Sequence, residues 1–218
     1  MQQSKTARQI QKAAEALFAE QGFSETTMRQ ITSAADVNLA SVNYHFGSKQ
    51  GLIQSVADTY LVPLCDQVQA GVDARLKSSS DIVELDELIE LLMRSLLSVN
   101  EGNTYALPMF SRLLDLAYMQ QQDELRDHII RLCRDKLRVF LDLLRNDMPP
   151  MKDDEFFWRL HFLLGSMIFT FSNYHTLIKI ERSEYDKEAE MAMIFHRMLP
   201  VISAGFLARS EKTHFCKV

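Results

Sequence analysis

Apolar residues along this chain recur at the three- and four-residue spacing of amphipathic helices, and no convincing run shows the strict alternation of a strand. The first such face consists of Ile10, Ala13, Ala14, Leu17 and Phe18. This spacing predicts a helix over Lys5–Gln21, because Gly22 directly after it is a common C-terminal stop. The pattern therefore predicts an all-α chain.

Two very short helices and one long helix are predicted next. A turn at 36–38 separates the short helices, which cover about 28–35 and 39–45. Ser48 is placed to cap the long helix, which starts at Lys49 and reaches about residue 76. Pro63 lies inside this helix and cannot donate the usual backbone hydrogen bond, so we expect a kink there.

The rest of the chain predicts five further helices, for about nine in all. They lie near 81–99, 104–119, 123–147, 153–180 and 185–208. Asp81, Asp123 and Asp153 are the expected N-caps, and Pro200 should kink or end the last helix. We divide the chain into an N-terminal domain at 1–52, a larger domain at 53–208 and a frayed tail at 209–218.

Charge is unevenly distributed in this otherwise ordinary globular composition. The chain has 218 residues, of which 47% are hydrophobic and 24% charged, with only seven glycines and five prolines. The formal net charge of −5 does not suggest a nucleic-acid binder, but residues 1–50 carry +1 and the rest −6. A near-neutral head on an acidic body can still bind DNA if its few cations are well placed.

The cysteines and apolar stretches indicate a cytoplasmic location. Cys65, Cys133 and Cys216 are widely spaced and form no CxxC, which predicts free thiols rather than disulfides or a metal site. The polar N-terminus lacks the apolar segment of a signal peptide. The most apolar stretch, 156–171, contains Arg159 and His161 and is shorter than a membrane span. We expect it to be a buried helix.

The two short helices and their turn would form a helix-turn-helix, whose second helix fits the major groove of B-DNA. Thr27 and Ser41 place hydroxyls beside helix N-termini, where a phosphate oxygen is favoured. Asn43 can donate and accept at a base edge, and Lys49 is a cation in a first helical turn, which suits an anionic partner. The alternative is a small helical subdomain with solvated polar residues.

These residues resemble the DNA-binding domain of the TetR family of bacterial transcriptional regulators. The resemblance rests on TTMRQI at 26–31, AADV at 34–37, VNYHFGSK at 42–49 and Leu52. It covers roughly residues 5–55. The VNYHFGSK segment, together with MFSRLL at 109–114, also resembles the PsrA-type subgroup, which is associated with fatty-acid metabolism and long-chain acyl ligands.

The resemblance implies a set of DNA-contacting residues. Those implied to contact phosphates are Thr27, Ser41, Tyr44, His45 and Lys49, and those implied to read bases or line the groove are Arg29, Asn38, Leu39, Ala40 and Asn43. Asp36 stands where the family usually has glycine, and aspartate tolerates a left-handed backbone better than most residues. Asn43 stands where many members have an aromatic residue, so it could read a base or bond a phosphate.

A dimer would double the few DNA contacts of one head and read a two-fold site, with recognition helices ~34 Å apart or a multiple of that distance. The resemblance assigns the two last long helices to a four-helix dimer interface. The expected interface residues are Phe157, Leu160, Leu164, Gly165, Ile168, Met191, Ile194 and Met198. The alternative is that these helices form only intramolecular core.

The middle helices carry apolar stripes that could line a pocket for a small apolar effector, with a fatty acid or acyl-CoA suspected. The candidate ligand-binding residues are Met93, Leu97, Phe110, Arg112, Leu114, Tyr118 and Phe140. Such stripes are also typical of plain core, and Arg112 could instead pair with Asp115 on the surface. The expected function is a repressor that a ligand releases from a palindromic operator. No cofactor is expected.

The sequence disfavours two other function classes. An enzyme is disfavoured because the chain has no GxSxG, P-loop, GxGxxG or HExxH, and no two of its six histidines fall four residues apart on one helix. A non-DNA-binding helical ligand carrier is disfavoured by the intact Thr27, Tyr44 and Lys49.

Overall fold

The computed structural model describes residues 4–79, 81–101 and 106–208, and every regular element within them is an α-helix. In chain order these helices are α1 (Lys5–Gln21), α2 (Met28–Ala34), α3 (Leu39–Phe46), α4 (Lys49–Ser78), α5 (Leu85–Glu101), α6 (Ala106–Tyr118), α7 (Asp123–Lys136), α8 (Arg138–Asn146), α9 (Asp153–Ser172), α10 (Tyr174–Tyr185) and α11 (Met191–Leu207). The all-α prediction is confirmed, but the described residues hold eleven helices rather than about nine.

A small core holds the first three helices against the start of α4. Its six fully buried apolar side chains are Ile10, Ala14, Phe18, Ile31, Val42 and Leu52. Each of the four helices supplies at least one of them, so the short helices α2 and α3 depend on this shared packing for their stability. This shared core fixes the orientation of α3 relative to α4.

The thirty-residue helix α4 belongs to both units of the molecule. Its N-terminal turns pack on α1 and α3, and it also packs against α5, α7 and α8. The helix runs without interruption through Pro63 and across the boundary that we placed at residue 52. Gly71 allows α5 to approach closely, because a Cβ there would overlap the side chain of Leu91.

Two predicted long helices are each divided in the structure, which corrects the predicted count. The segment 123–147 breaks at Leu137, where φ −104° and ψ 17° leave the helical region. The segment 153–180 breaks at Asn173, whose side-chain amide donates to the carbonyl of Phe169 at 2.8 Å. An asparagine that bonds its own preceding turn competes with continuation of the helix.

The predicted caps and ends of the body helices also need correction. Asp123 and Asp153 lie in first turns, where their charge suits the helix dipole, but neither is the N-cap. Asp81 precedes α5, which begins only at Leu85, whose N–H donates to Asp147 Oδ2 at 2.6 Å. The last helix begins at Met191 rather than at 185, and it continues through Pro200 to Leu207.

The body surrounds a continuous apolar core formed by α4 to α9 and α11. Within the described part of the chain, no helix is both long enough and apolar enough to cross a membrane. The predicted tail at 209–218, with Cys216, lies outside the described residues.

Candidate nucleic-acid interface

The turn between α2 and α3 forms as the sequence predicts. Asp36 adopts the left-handed conformation with φ 51°, and the N–H of Val37 donates to Thr32 O at 3.0 Å. Asn38 then caps α3, because its side-chain oxygen accepts from Ser41 N at 2.8 Å. The buried Val42 fixes the roll of α3 about its own axis.

With Val42 facing inward, α3 presents its opposite face to solvent. Leu39, Ala40, Asn43 and Tyr44 are all exposed, at the spacing that places them on one side of a helix. Tyr44 is 85% exposed and Leu39 is 51% exposed. The structure thus brings four of the predicted DNA-contacting residues together on one surface, which we call the α3 face.

The other predicted residues of this region have partners within the protein. Thr27 caps α2 in a capping box with Gln30, and its hydroxyl donates to Gln30 Oε1 at 2.7 Å. The hydroxyl of Ser41 donates to Asn38 Oδ1 at 3.0 Å, and His45 Nε2 lies 3.4 Å from the hydroxyl of Ser4, the N-cap of α1. These three residues therefore position helix ends as well as bordering the α3 face.

The two predicted cations differ in their surroundings. Arg29 is exposed on α2. Lys49 is half-buried in the first turn of α4, where burial lowers its pKa and the nearby Glu25 partly offsets this effect. Gly47, with φ 73°, ends α3 in a conformation that favours glycine, and it separates Lys49 from the α3 face by a tight turn.

Sequence reasoning missed two supports of this interface. Gln30 completes the α2 capping box, a spacing that the Thr-x-x-Gln pattern at 27–30 does signal. Ser4 caps α1 and reaches His45, a contact across 41 positions that no local pattern signals.

Comparison with known proteins decides the family. Residues 10–56 match the family described as bacterial regulatory proteins, tetR family, and residues 90–205 match the tetracyclin repressor-like C-terminal domain. The chain belongs to the TetR family. Its N-terminal match covers α1 to α3 and the start of α4, so the helix-turn-helix of TetR regulators corresponds to α2 and α3.

Curated TetR-type relatives match parts of the chain. The chain is 38% identical over 55 residues to "Probable HTH-type transcriptional regulator YttP" of Bacillus subtilis, covering 25% of this chain and 27% of that protein. It is 26% identical over 132 residues to the HTH-type transcriptional regulatory protein RaaS of Mycobacterium tuberculosis, covering 58% and 60%. The chain thus matches less than two thirds of the length of either relative.

Solved structures share the whole fold at low identity. The fatty acid degradation regulator FadR from Bacillus halodurans superposes with a TM-score of 0.63 at 16% identity, covering 96% of this chain and all of that one. The ketosteroid transcriptional regulator KstR2 of Mycobacterium tuberculosis gives a TM-score of 0.56 at 17% identity, covering 95% and 98%. At these identities the likeness establishes the fold.

The predicted dimer residues of this TetR chain occupy two different environments. Phe157 and Gly165 are exposed, whereas Leu160, Leu164 and Ile168 are half-buried and pack on the core. The three predicted residues of α11 are also half-buried; they are Met191, Ile194 and Met198.

The apolar surface of α9 that the core leaves exposed lies one helical row away from Leu160 and Leu164. Trp158, Phe162 and Phe169 on α9 are 57%, 69% and 61% exposed, and Val201 on α11 is 72% exposed. We call these four residues the α9–α11 stripe. Sequence reasoning missed them because α9 is apolar on several sides, so periodicity alone cannot select its outer face.

Arg159 ties the two helices of this surface together. Its guanidinium donates to the carbonyls of Gly205 at 3.0 Å and Ala208 at 2.5 Å, and also to that of Phe206. Glu155 pairs with the same guanidinium at 2.5 Å. The unpaired carbonyls at the C-terminal end of α11 are thereby satisfied by a side chain from α9.

The predicted ligand-binding residues do not line one cavity. Met93, Phe110, Leu114 and Phe140 are buried in the core, Leu97 is half-buried, and the hydroxyl of Tyr118 is bonded to His161 Nε2 at 3.0 Å. None of them lines the cavity of about 220 Å³ between α4, α5 and α8 or that of about 460 Å³ between α1, α4 and α6.

Arg112 contacts α1 and also borders a cavity of about 370 Å³ between the end of α1, the segment 22–25 and α6. It is exposed, and it does not pair with Asp115; instead Nη1 donates to Ala19 O, in the last turn of α1, at 2.5 Å. This contact joins α6 of the body directly to the head. The buried Tyr60 joins α4 to α1 nearby, because its phenol donates to the carboxylate of the half-buried Glu15.

No metal cluster is formed by the described part of the chain: no three or more His, Cys, Asp or Glu side chains converge there.

Proposed function

We propose that this TetR-family chain is a ligand-responsive repressor that binds a two-fold operator as a homodimer. The observation that carries the proposal is the α3 face. A helix of this length enters the major groove with its exposed side, and Asn43 then offers both a donor and an acceptor to base edges. Tyr44 extends its phenol far enough from the helix to reach the phosphate backbone.

The N-termini of α2 and α3 support phosphate contacts on both sides of that helix. Thr27 and Asn38 leave backbone N–H groups and part of their own side chains at exposed helix ends. Helix N-termini favour an anion through their free N–H groups and the helix dipole. Arg29 and Lys49 bring the net charge of residues 1–50 from −1 to +1.

The α9–α11 stripe supports the homodimer. Three exposed aromatic side chains and one exposed valine on two adjacent helices form a surface that costs free energy in water. A second copy placing the same stripe against it would bury both, since a two-fold interface uses the same patch twice. Dimerisation would also place two α3 helices about one DNA turn apart, as a palindromic operator requires.

The proposed effector is a small apolar molecule of the fatty acid or acyl-CoA class. Supporting this class are the Met- and Phe-containing core of α5, α6 and α8 and the fold shared with a fatty acid degradation regulator. The cavity of about 220 Å³ between α4, α5 and α8 is below the usual ~300–1,000 Å³ of ligand pockets, and the cavity of about 460 Å³ between α1, α4 and α6 is lined by none of the predicted ligand-binding residues. A long acyl chain would therefore bind a more open state and shift the population toward it.

Release from DNA would follow from a shift of the body against the head. The Arg112–Ala19 contact and the Tyr60–Glu15 pair would transmit a movement of α6 or α4 to α1. Pro63 is the proposed bend point in α4, because the carbonyl of Thr59 lacks its helical donor. An effector can do this only through different affinities for the two states.

The test is fluorescence anisotropy of labelled duplex DNA from the flanks of this gene, at fixed salt, with and without a long-chain acyl-CoA. Specific binding that the acyl-CoA reverses supports the whole proposal. Specific binding that no acyl compound reverses would retain the regulator and reject the effector class. If selection from the entire genome also yields no bound sequence, the proposed DNA-binding function is wrong.

A further inference from the structure

Two cysteines that the sequence places far apart meet at the interface between α4 and α7. Cys65 of α4 is buried and Cys133 of α7 is partly exposed, and their thiols lie within side-chain reach of each other between the Asp58–His128 and Asp66–Lys136 pairs. Both are free thiols. The proposed regulator function uses neither of them.

Polar pairs on both sides hold this contact in register. Gln50 bonds Gln122 at 3.3 Å near the start of both helices, and Asp58 lies 2.7 Å from His128 Nε2. Beyond the thiols, Lys136 Nζ lies 2.5 Å from Asp66 Oδ1. In these pairs a higher residue number on α4 goes with a higher number on α7, so the two helices run parallel. The thiol pair lies within this row of contacts.

The two thiols are unequal, which assigns them different roles. Interaction with the Cys65 thiol holds the pKa of Cys133 below its usual value, against the opposing effect of burial. The same interaction, together with burial, raises the pKa of Cys65. Cys133 is thus the thiol that more readily forms a thiolate, and its partial exposure lets a small oxidant reach it.

We propose that Cys65 and Cys133 form an oxidation site at which hydrogen peroxide converts the two thiols into one intramolecular disulfide. The Cys133 thiolate attacks one peroxide oxygen, so that an S–O bond forms, the O–O bond breaks and hydroxide leaves as water after taking up a proton. Cys65 then attacks the sulfenic sulfur. The S–S bond forms, the S–O bond breaks, and the departing hydroxide takes the proton of Cys65 to give a second water.

The two thiols are better suited to form a disulfide with each other than to bind a metal ion. Tetrahedral thiolate sites need four ligands, and no group of three or more metal-binding side chains occurs among the residues that the structure describes. The flanking Asp66 is already paired with Lys136. Two adjacent thiols with no further ligand favour oxidation to each other.

Such a disulfide would join the helix that carries the head to a helix of the body. A covalent bond at Cys65 would fix the middle of α4 to α7. Because α4 begins directly after α3, this bond would also restrict movement of the head. Any effect of the disulfide on DNA binding rests on the proposed function. The bond itself and its effect on the two helices are measurable on the protein alone.

The experiment uses the full-length Cys216→Ser variant, in which Cys65 and Cys133 are the only thiols. After brief treatment with hydrogen peroxide, we expect denatured protein to lose both titratable thiols. Peptide mass spectrometry should show Cys65 and Cys133 joined with the loss of two hydrogens, and dithiothreitol should restore both thiols. Hydrogen exchange in α4 and α7 should slow in the oxidised form.

One further variant keeps the proposal falsifiable. In Cys216→Ser combined with Cys65→Ser, peroxide should leave Cys133 as a sulfenic acid that dimedone traps, with no internal crosslink. The proposal is overturned if both thiols of Cys216→Ser survive peroxide that oxidises free cysteine, or if only crosslinks between chains form. Oxidation with unchanged exchange in α4 and α7 would overturn the inferred coupling. None of these readouts requires an operator.

Discussion

Asn43 and Lys49 lie on opposite sides of Gly47 and would contact different parts of a duplex. Asn43 is exposed in the middle of the α3 face, where it can discriminate between bases. Lys49 contributes a charge at the start of α4, and a charge neutralises a phosphate whatever the sequence. Substitution of each residue should therefore alter a different property of binding.

Replacing Lys49 by alanine should weaken binding to all DNA sequences and reduce the slope of log K against log salt by about 1 per head. The measurement is operator anisotropy over a series of salt concentrations. Lys77→Ala is the matched control, because it removes the same charge from the exposed last turn of the same helix. An unchanged slope in Lys49→Ala would show that this lysine makes no phosphate contact.

Replacing Asn43 by alanine should instead reduce discrimination, costing ~1–3 kcal/mol on the operator and little on random DNA. The two affinities are compared at one salt concentration. Equal losses on operator and random DNA would assign Asn43 to the backbone rather than to a base.

At the scale of the element, caps and breaks explain which parts of the fold the sequence predicts. The bounds of α1 and the caps Thr27 and Ser48 follow from local hydrogen-bonding chemistry, so sequence reasoning finds them. The breaks at Leu137 and Asn173 occur without glycine or proline. The outer face of α9 depends on which of several apolar rows the core covers, which only tertiary packing decides.

Two substitutions at Asn38 distinguish its role as the N-cap of α3 from its proposed contact with DNA. Asn38→Ala removes the oxygen that accepts from Ser41 N and should lower the free energy of unfolding by ~0.5–2 kcal/mol, measured in urea. Asn38→Asp keeps an accepting oxygen and should retain most of the stability, yet its negative charge should weaken operator binding. If both variants are equally unstable, the side chain does not act as a cap.

Arg159 should stabilise the joint between α9 and α11. Arg159→Met leaves the terminal carbonyls of α11 without this donor and leaves Glu155 unpaired, with an expected loss of ~1–3 kcal/mol in urea unfolding. Arg182→Met is the control, because Arg182 is exposed and lies 3.6 Å from Glu188, a surface pair that contributes ~0–1 kcal/mol. Comparable losses in the two variants would contradict this assignment.

At the scale of the whole molecule, the proposed homodimer would hold its two heads through the α9–α11 stripe. Phe162→Glu places a charge in the middle of the stripe, and two-fold symmetry introduces it twice. We expect light scattering to show a dimer for the wild type and a monomer for Phe162→Glu, with the circular dichroism of the folded chain retained. Ile82→Glu, at a position 80% exposed outside the stripe, should leave the dimer intact. A dimeric Phe162→Glu would place the interface elsewhere.

The unbroken α4 makes the spacing of the two heads sensitive to small rotations. Thirty residues at 1.5 Å each give a rod of about 45 Å, so a tilt of about 5° about its far end displaces the near end by about 4 Å. In a symmetric pair the two displacements oppose each other and sum to about 8 Å, against a groove-to-groove distance of ~34 Å. A tilt of this size is no larger than the ordinary adjustments between packed helices. It would thus suffice to move both α3 helices out of register with the two major grooves that they enter.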